Sequence, residues 1–180
     1  MTEPSRILGA VLAGGRSRRF GSDKAIAEID GKTLIDRAIG DLSACVDTVA
    51  VCGREIEGLL SLPDRPQADM GPLGGLNAAL HHAASHGFAG VLSTGCDMPV
   101  FPPALAAALI GEGAAIVEGQ QLLGYWPSRL APLLDTHLET GTDRSIRGWL
   151  TVAQPRSVVP DGPLPNINTP ADLERFAQGR

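Results

Sequence analysis

The sequence predicts an α/β protein built on a mostly parallel sheet, and three observations carry that prediction. Residues 7–13 (ILGAVLA) are an unbroken apolar run that ends in glycines, the pattern of a strand covered by helices on both faces. From there to residue 110, strand-like runs alternate with stretches of helical periodicity, and parallel neighbours need such crossovers. No run approaches the roughly 20 apolar residues that span a bilayer, so the apolar segments belong to a folded core.

Taken in order, residues 7–13 form the first central strand. Residues 33–42 place Leu34, Ile35, Ala38, Ile39 and Leu42 at helical spacing, with Asp36 and Arg37 on the other face. Residues 47–52 (DTVAVC) read as a second strand, 74–86 as a helix and 90–94 (GVLST) as a third strand. Pro102 and Pro103 open a helix that runs to residue 110, because proline is tolerated in a first turn where its missing N–H has no duty. Residues 114–118 are strand-like with 121–126 as a hairpin partner, and 129–139 and 145–150 follow as helices. Residues 156–159 read as a late strand. Thr169-Pro170 marks the start of a last helix, an N-cap candidate followed by proline at the first helical position. With 180 residues and no linker, repeat or low-complexity tract, one domain over 1–180 is the expectation.

A formal charge of −5 argues against a nucleic-acid or membrane-surface binder, since such proteins carry the basic excess that releases counterions from a polyanion. Cys45, Cys52 and Cys96 are odd in number and lack a Cys-x-x-Cys pair, and residues 1–6 have no apolar signal core. A reducing cytoplasm is therefore expected. His81, His82, His86 and His137 show no ligand spacing with a cysteine or a further histidine, and no chemistry is assigned to them.

The most informative segment is residues 12–24, LAGGRSRRFGSDK, which leaves the first strand carrying three glycines, three arginines and a lysine. Gly14, Gly15 and Gly21 let backbone N–H groups approach an anion. Arg16, Arg18, Arg19 and Lys24 bring charge for the oxygens of a triphosphate. The spacing is neither that of a P-loop nor Gly-x-Gly-x-x-Gly. A solvated surface turn is the plain alternative, but in open α/β sheets ligands bind outside the carboxyl ends of the strands, where this loop lies.

Residues 12–24 match, without a gap, the opening pattern Leu-Ala-Gly-Gly-x-Ser-x-Arg-(Met/Phe)-Gly-x-Asp-Lys. Three further blocks agree: Gly71-Pro72-Leu73-Gly74-Gly75, Cys96-Asp97-Met98-Pro99 after a strand, and Asn166-Ile167-Asn168-Thr169-Pro170. On these blocks the chain resembles the molybdenum cofactor guanylyltransferases within the MobA-like group of nucleotidyltransferases. The resemblance implies a Rossmann-like, doubly wound sheet of the nucleotide-diphospho-sugar transferase type. It also implies an enzyme that joins GTP to molybdopterin-bound molybdenum, forming the guanine dinucleotide cofactor and pyrophosphate. Phe20 stands where Met is commoner, Gly74 replaces an Ala, and the C-terminal half is short with few recognisable pterin contacts.

Carried over position by position, the resemblance places Leu12, Ala13, Gly14 and Gly15 on the nucleotide, with Gly71 and Gly75 near its base or ribose. Lys24 and Arg19 become stabilisers of charge moving onto pyrophosphate. Asp97, presented after the third strand, is a hard oxygen ligand suited to Mg2+, which takes few protein carboxylates and completes its shell with phosphate and water. As an isolated residue Asp97 also reads as a turn cap. Asp64 corresponds by spacing to an acidic position that contacts the nucleotide, although Pro63-Asp64-Arg65-Pro66 also suits an ordinary turn. Asn166 and Asn168 alternate about Ile167, so both amides face one way in an extended segment. They read as acceptor ligands or as capping side chains. Arg144, with Arg147, corresponds to basic residues facing the pterin phosphate, or lies on a solvated helix face. A monomer is expected, meeting cofactor-synthesis or acceptor proteins only transiently. Gly14 favours GTP, since cytidine-specific relatives carry Ala there and one methyl decides about 1–3 kcal/mol. Cytidylyltransferase activity, transfer to another phosphorylated acceptor and a non-catalytic nucleotide-binding module are the rival readings.

Overall fold

The structure is a computed structural model that describes residues 5–14, 23–141 and 143–179. Its strands are β1 Ile7–Leu12, β2 Glu28–Ile29, β3 Lys32–Thr33, β4 Thr48–Cys52, β5 Leu60–Leu62, β6 Gly90–Gly95, β7 Ala115–Val117, β8 Gln120–Pro127 and β9 Arg156–Val158. Its α-helices are α1 Leu34–Ser43, α2 Pro72–Ser85, α3 Pro103–Leu109, α4 Ala131–Thr140, α5 Ile146–Ala153 and α6 Pro170–Gln178. Two 3₁₀ turns are present among the described residues, Lys24–Ile26 after the glycine-rich segment and Ser128–Leu130 ahead of α4.

Seven strands form one sheet in the order β5-β4-β1-β6-β8-β7-β9. The strands β5, β4, β1 and β6 run parallel. β8 is antiparallel to both β6 and β7, and β9 is parallel to β7. The predicted α/β class with a mostly parallel sheet is therefore observed. The chain steps outward from β1 through β4 to β5 and then crosses back to β6. The carboxyl ends of β1 and β6 thus flank the switch point, where such sheets open a crevice.

β1 is buried along its whole length because its two faces are shared between two apolar layers. Ile7 and Val11 pack with Ile35, Ala38 and Leu42 of α1 and Leu105 and Leu109 of α3. Leu8, Ala10 and Leu12 pack with Leu73, Leu76 and Leu80 of α2, and the same layer takes Leu134 and Leu138 of α4 and Trp149 of α5. The helix starts follow their capping residues: Thr33 accepts from the Asp36 amide ahead of α1, and Thr169 and Asp172 form a capping box ahead of α6. Among the described residues no helix is long and apolar enough to cross a membrane.

The antiparallel β8 is bound to the parallel part of the sheet by side chains as well as by the ladder. Ser93 of β6, fully buried, donates to Leu122 O at 2.7 Å and accepts from Trp126 Nε1 at 2.9 Å. Ser93→Ala strands the indole N–H of a completely buried Trp126, and an orphaned buried donor costs about 1–3 kcal/mol. The expected result is a loss of that size in urea denaturation, with nucleotide affinity unchanged. An unaltered denaturation midpoint would show that the indole finds another partner.

Candidate active site

The carboxyl ends of β1, β4 and β6 lie on one edge of the sheet, and the loops leaving them make two adjoining features. The first is a cavity of about 830 Å3, with Ala13 and Gly14 after β1, Gly53 and Arg54 after β4, and Asp64 and Gly71 on its walls. That volume falls within the range of small-molecule and cofactor sites. Its floor is backbone against backbone. A Cβ added at Gly14 would come 3.0 Å from Gly53 Cα, and one at Gly53, whose φ is +77°, would come 2.5 Å from Gly14 Cα.

Asp64 stands at the inner wall. Its Oδ1 is buried with no hydrogen-bond partner among the described residues. Burial, and secondarily the charge of Asp69, push its carboxyl above the ordinary carboxylate range, partly offset by the Met70 backbone N–H. Two glycines of α2 make room for it: a Cβ on Gly74 would approach the Asp64 side chain to 3.0 Å, and one on Gly75 would approach Cys52 Cβ to 2.9 Å. Gly71, the N-cap of α2 with φ +69°, is on the cavity wall, while Gly75 is buried beneath Asp64 against Leu12 and Cys52.

The second feature is a hydrogen-bonded cluster around Lys24, which is only 8% exposed. Asp23 caps the 3₁₀ turn by accepting from Ala25 N at 3.1 Å, and its other oxygen is paired with Arg54. Lys24 Nζ then donates to Asp97 Oδ2 at 3.2 Å and to Asn168 Oδ1 at 3.1 Å. Asp97 follows β6, and its Oδ1 occupies space that a Cβ on Gly95 would fill. The segment carrying both asparagines is tied to the same loop, because Ile167 N donates to Asp97 O at 2.9 Å and the Ile167 side chain is buried against Ile29 and Leu34. Asn168 Nδ2 donates to Asn166 Oδ1 at 2.9 Å. Cys96 is not a nucleophile here: burial, then the charge of Asp97, pushes its thiol up to about 11, so it stays protonated at neutral pH.

The residues singled out in the sequence therefore fall into four places. Lys24, Asp97, Asn166 and Asn168, far apart in sequence, meet in one cluster. Ala13, Gly14, Asp64 and Gly71 line the cavity, with Leu12 and Gly75 packed below it. Arg144 is exposed between α4 and α5, where it donates to Glu139 O at 3.3 Å, and among the described residues no hydrogen bond or ion pair joins it to the Lys24 cluster. Gly15 and Arg19 lie outside the described residues. Sequence reasoning missed Gly53 and Arg54, although the rule that led to the first loop applies equally to the carboxyl end of β4. It also missed Asp23, whose signal was its place as a cap just before Lys24.

Comparison with known proteins gives this arrangement its family. The profile of the MobA-like NTP transferase domain matches residues 9–156. The molybdenum cofactor guanylyltransferase of Rhodobacter capsulatus is 35% identical, with 94% of each chain covered. The crystal structure of molybdopterin-guanine dinucleotide biosynthesis protein A from Archaeoglobus fulgidus superposes with a TM-score of 0.73 at 25% identity, over 95% of this chain and 97% of that one. The 2-C-methyl-D-erythritol 4-phosphate cytidylyltransferase of Thermus thermophilus shares the fold, with a TM-score of 0.69 at 14% identity over 94% and 96% of the two chains. The chain thus belongs to the MobA-like NTP transferase family of nucleotidyltransferases.

Proposed function

We propose that the protein transfers GMP from GTP to the terminal phosphate of molybdopterin-bound molybdenum cofactor, giving the guanine dinucleotide cofactor and pyrophosphate. The observation that carries this reading is the juxtaposition of the nucleotide-sized cavity with the Lys24–Asp97–Asn168 cluster at the carboxyl ends of parallel strands. An acceptor phosphate oxygen bonds to the α-phosphorus, the bond from that phosphorus to the bridging β-phosphate oxygen breaks, and the electron pair leaves on pyrophosphate. Phosphate is already a competent nucleophile at neutral pH, so the protein's task is positioning and charge stabilisation rather than proton abstraction. Lys24, and Arg19 from the glycine-rich segment, meet the charge that collects on the leaving group.

Among the described residues no three His, Cys, Asp or Glu side chains converge as a metal centre. A single carboxylate, Asp97, 30% exposed and paired with Lys24 through one oxygen, fits Mg2+, which draws its remaining ligands from phosphate and water. Bound there, the ion would offset phosphate charge. For the base, guanine is favoured by the relatives' named activity and by Asp64. Its carboxyl is on the cavity wall, and guanine's N1–H and exocyclic amine form a donor pair that a carboxylate accepts. The setting we infer is cytoplasmic, with a monomer that hands its product to acceptor proteins by transient contact.

Pyrophosphate release by purified protein, with Mg2+ and molybdopterin-containing acceptor, tests the reading across GTP, CTP, ATP and UTP at equal concentration. Release with GTP alone is the expected result. Release with CTP alone would make it a cytidylyltransferase. GTP binding without turnover would point to another acceptor or to a non-catalytic module.

A further inference from the structure

We propose that Gln120 is a positioning residue for the reaction, the far end of an amide relay that sets the Lys24 ammonium. The inference rests on the transferase reading for its kinetic consequence, but not for the relay itself. Gln120 opens β8, and its Oε1 accepts from Asn166 Nδ2 at 3.2 Å. Asn166 Oδ1 accepts from Asn168 Nδ2 at 2.9 Å, and Asn168 Oδ1 accepts from Lys24 Nζ at 3.1 Å.

The direction of every bond in this chain is dictated from one end. An ammonium has three donors and no acceptor, so Asn168 must turn its oxygen to Lys24. Its NH2 then faces Asn166, which must present oxygen. The Asn166 NH2 in turn faces Gln120, and only the Gln120 oxygen completes the set. Each amide is thus locked in one of its two flip states. Donation runs outward from a cation, the arrangement in which successive hydrogen bonds polarise one another.

Backbone contacts alone do not fix Asn168. Asp172 Oδ2 accepts from Asn168 N at 3.0 Å and from Thr169 N at 2.8 Å, which holds the main chain. The Asn168 side chain is exposed, and what holds its amide in the rotation that Lys24 demands is the bond to Asn166 and, through it, to Gln120. While that rotation is fixed, Lys24 divides its donors between an amide and the Asp97 carboxylate, and one of its three N–H groups stays uncommitted among the described residues. Without it, Lys24 swings toward a closer pair with Asp97. Both groups are then misplaced for phosphate, and the loss falls on kcat more than on nucleotide binding.

Two variants separate the acceptor from the bulk of the side chain: Gln120→Met keeps length and removes the acceptor, and Gln120→Glu keeps an acceptor oxygen. A readout independent of activity is available because Lys24 and the exposed Lys32 are the only two lysines in the chain. Brief labelling with acetic anhydride, quantified by mass spectrometry, gives the Lys24-to-Lys32 ratio in the folded protein.

For Gln120→Met we expect kcat to fall about 10-fold, GTP KM to stay within about twofold, and the labelling ratio to rise several-fold, as a displaced catalytic group requires. Gln120→Glu should restore both readouts, and Gln120→Met should add nothing in an Asn168→Ala background. Wild-type labelling and kcat in Gln120→Met would overturn the relay. So would equal damage from the Glu variant, or full additivity with Asn168→Ala. If the wild-type protein shows no GTP-dependent turnover while the labelling ratio still responds as expected, the relay stands and the transferase reading fails.

Discussion

Lys24→Met and Asp97→Asn are each expected to lower kcat for GTP-dependent pyrophosphate release by about 100- to 1,000-fold, the range seen when one preorganised charge-stabilising group is removed from an active site. Methionine fills the volume of the buried lysine stem and asparagine is isosteric with aspartate, so both proteins should purify folded. The two changes act on one unit, since Lys24 Nζ and Asp97 Oδ2 are 3.2 Å apart and each is the other's counter-charge. The double variant is accordingly expected to be little worse than either single one. Lys24→Arg is not expected to rescue. A planar guanidinium lacks the compact geometry with which the ammonium reaches both Asp97 and Asn168 in a site that leaves it 8% exposed. Steady-state turnover with saturating GTP, alongside circular dichroism of each variant, checks this. Wild-type turnover in a folded, pure variant would remove that residue from the mechanism.

Lys24 and Asp97 were legible in the sequence because both follow strands that announce themselves. Residues 7–12 are buried on both faces and form a continuous apolar run, and residues 90–95, equally buried, carry Val91 and Leu92, so the polar residues that follow these strands are conspicuous. The hairpin of β7 and β8 was legible for a similar reason, but the insertion of β8 between β6 and β7 was not. That placement depends on Ser93 meeting Trp126 and on Tyr125 lying against Gly90, contacts about 30 residues apart that no periodicity encodes. β5 escaped notice because three half-buried residues on a sheet edge carry too short a pattern. The two-residue strands β2 and β3 were missed although Asp30-Gly31 between them is a turn dipeptide.

The glycine block before α2 shows the limit differently. Its composition predicts close approach, yet only the fold tells what approaches. Gly71 faces the cavity, whereas Gly74 and Gly75 give up their side chains to Asp64, Met70 and Cys52. Gly53 gave no signal of its own, since a glycine after a strand is ordinary until Gly14 is found against it.

That contact sets up the second large effect, in Gly53→Ala. At φ +77° an L-residue with a Cβ is strained by about 1–2 kcal/mol. The added methyl would also meet Gly14 Cα at 2.5 Å and Gly14 N at 2.8 Å, which are backbone atoms held in register by Ala13 N donating to Cys52 O. Neither strand end yields without breaking the β1–β4 ladder, so overpacking adds about 1–3 kcal/mol more. The expected outcome is a marked fall in the denaturation midpoint and a rise in GTP KM of at least about tenfold, as the cavity floor is pushed apart. Gly14→Ala is the control. Its backbone is not left-handed, and its Cβ would lie 3.0 Å from Gly53 Cα and 3.7 Å from Asp64 Oδ1. A displacement of a few tenths of an ångström accommodates it. Stability should therefore change by under about 1.5 kcal/mol. The preference for GTP over CTP should fall by up to about 10-fold, as the methyl crowds the wall that carries Asp64. If Gly14→Ala proves as damaging to stability as Gly53→Ala, the left-handed φ is not what sets the two apart. If it leaves the GTP-to-CTP ratio untouched, the base is chosen elsewhere in the cavity, and Asp64→Asn becomes the deciding variant.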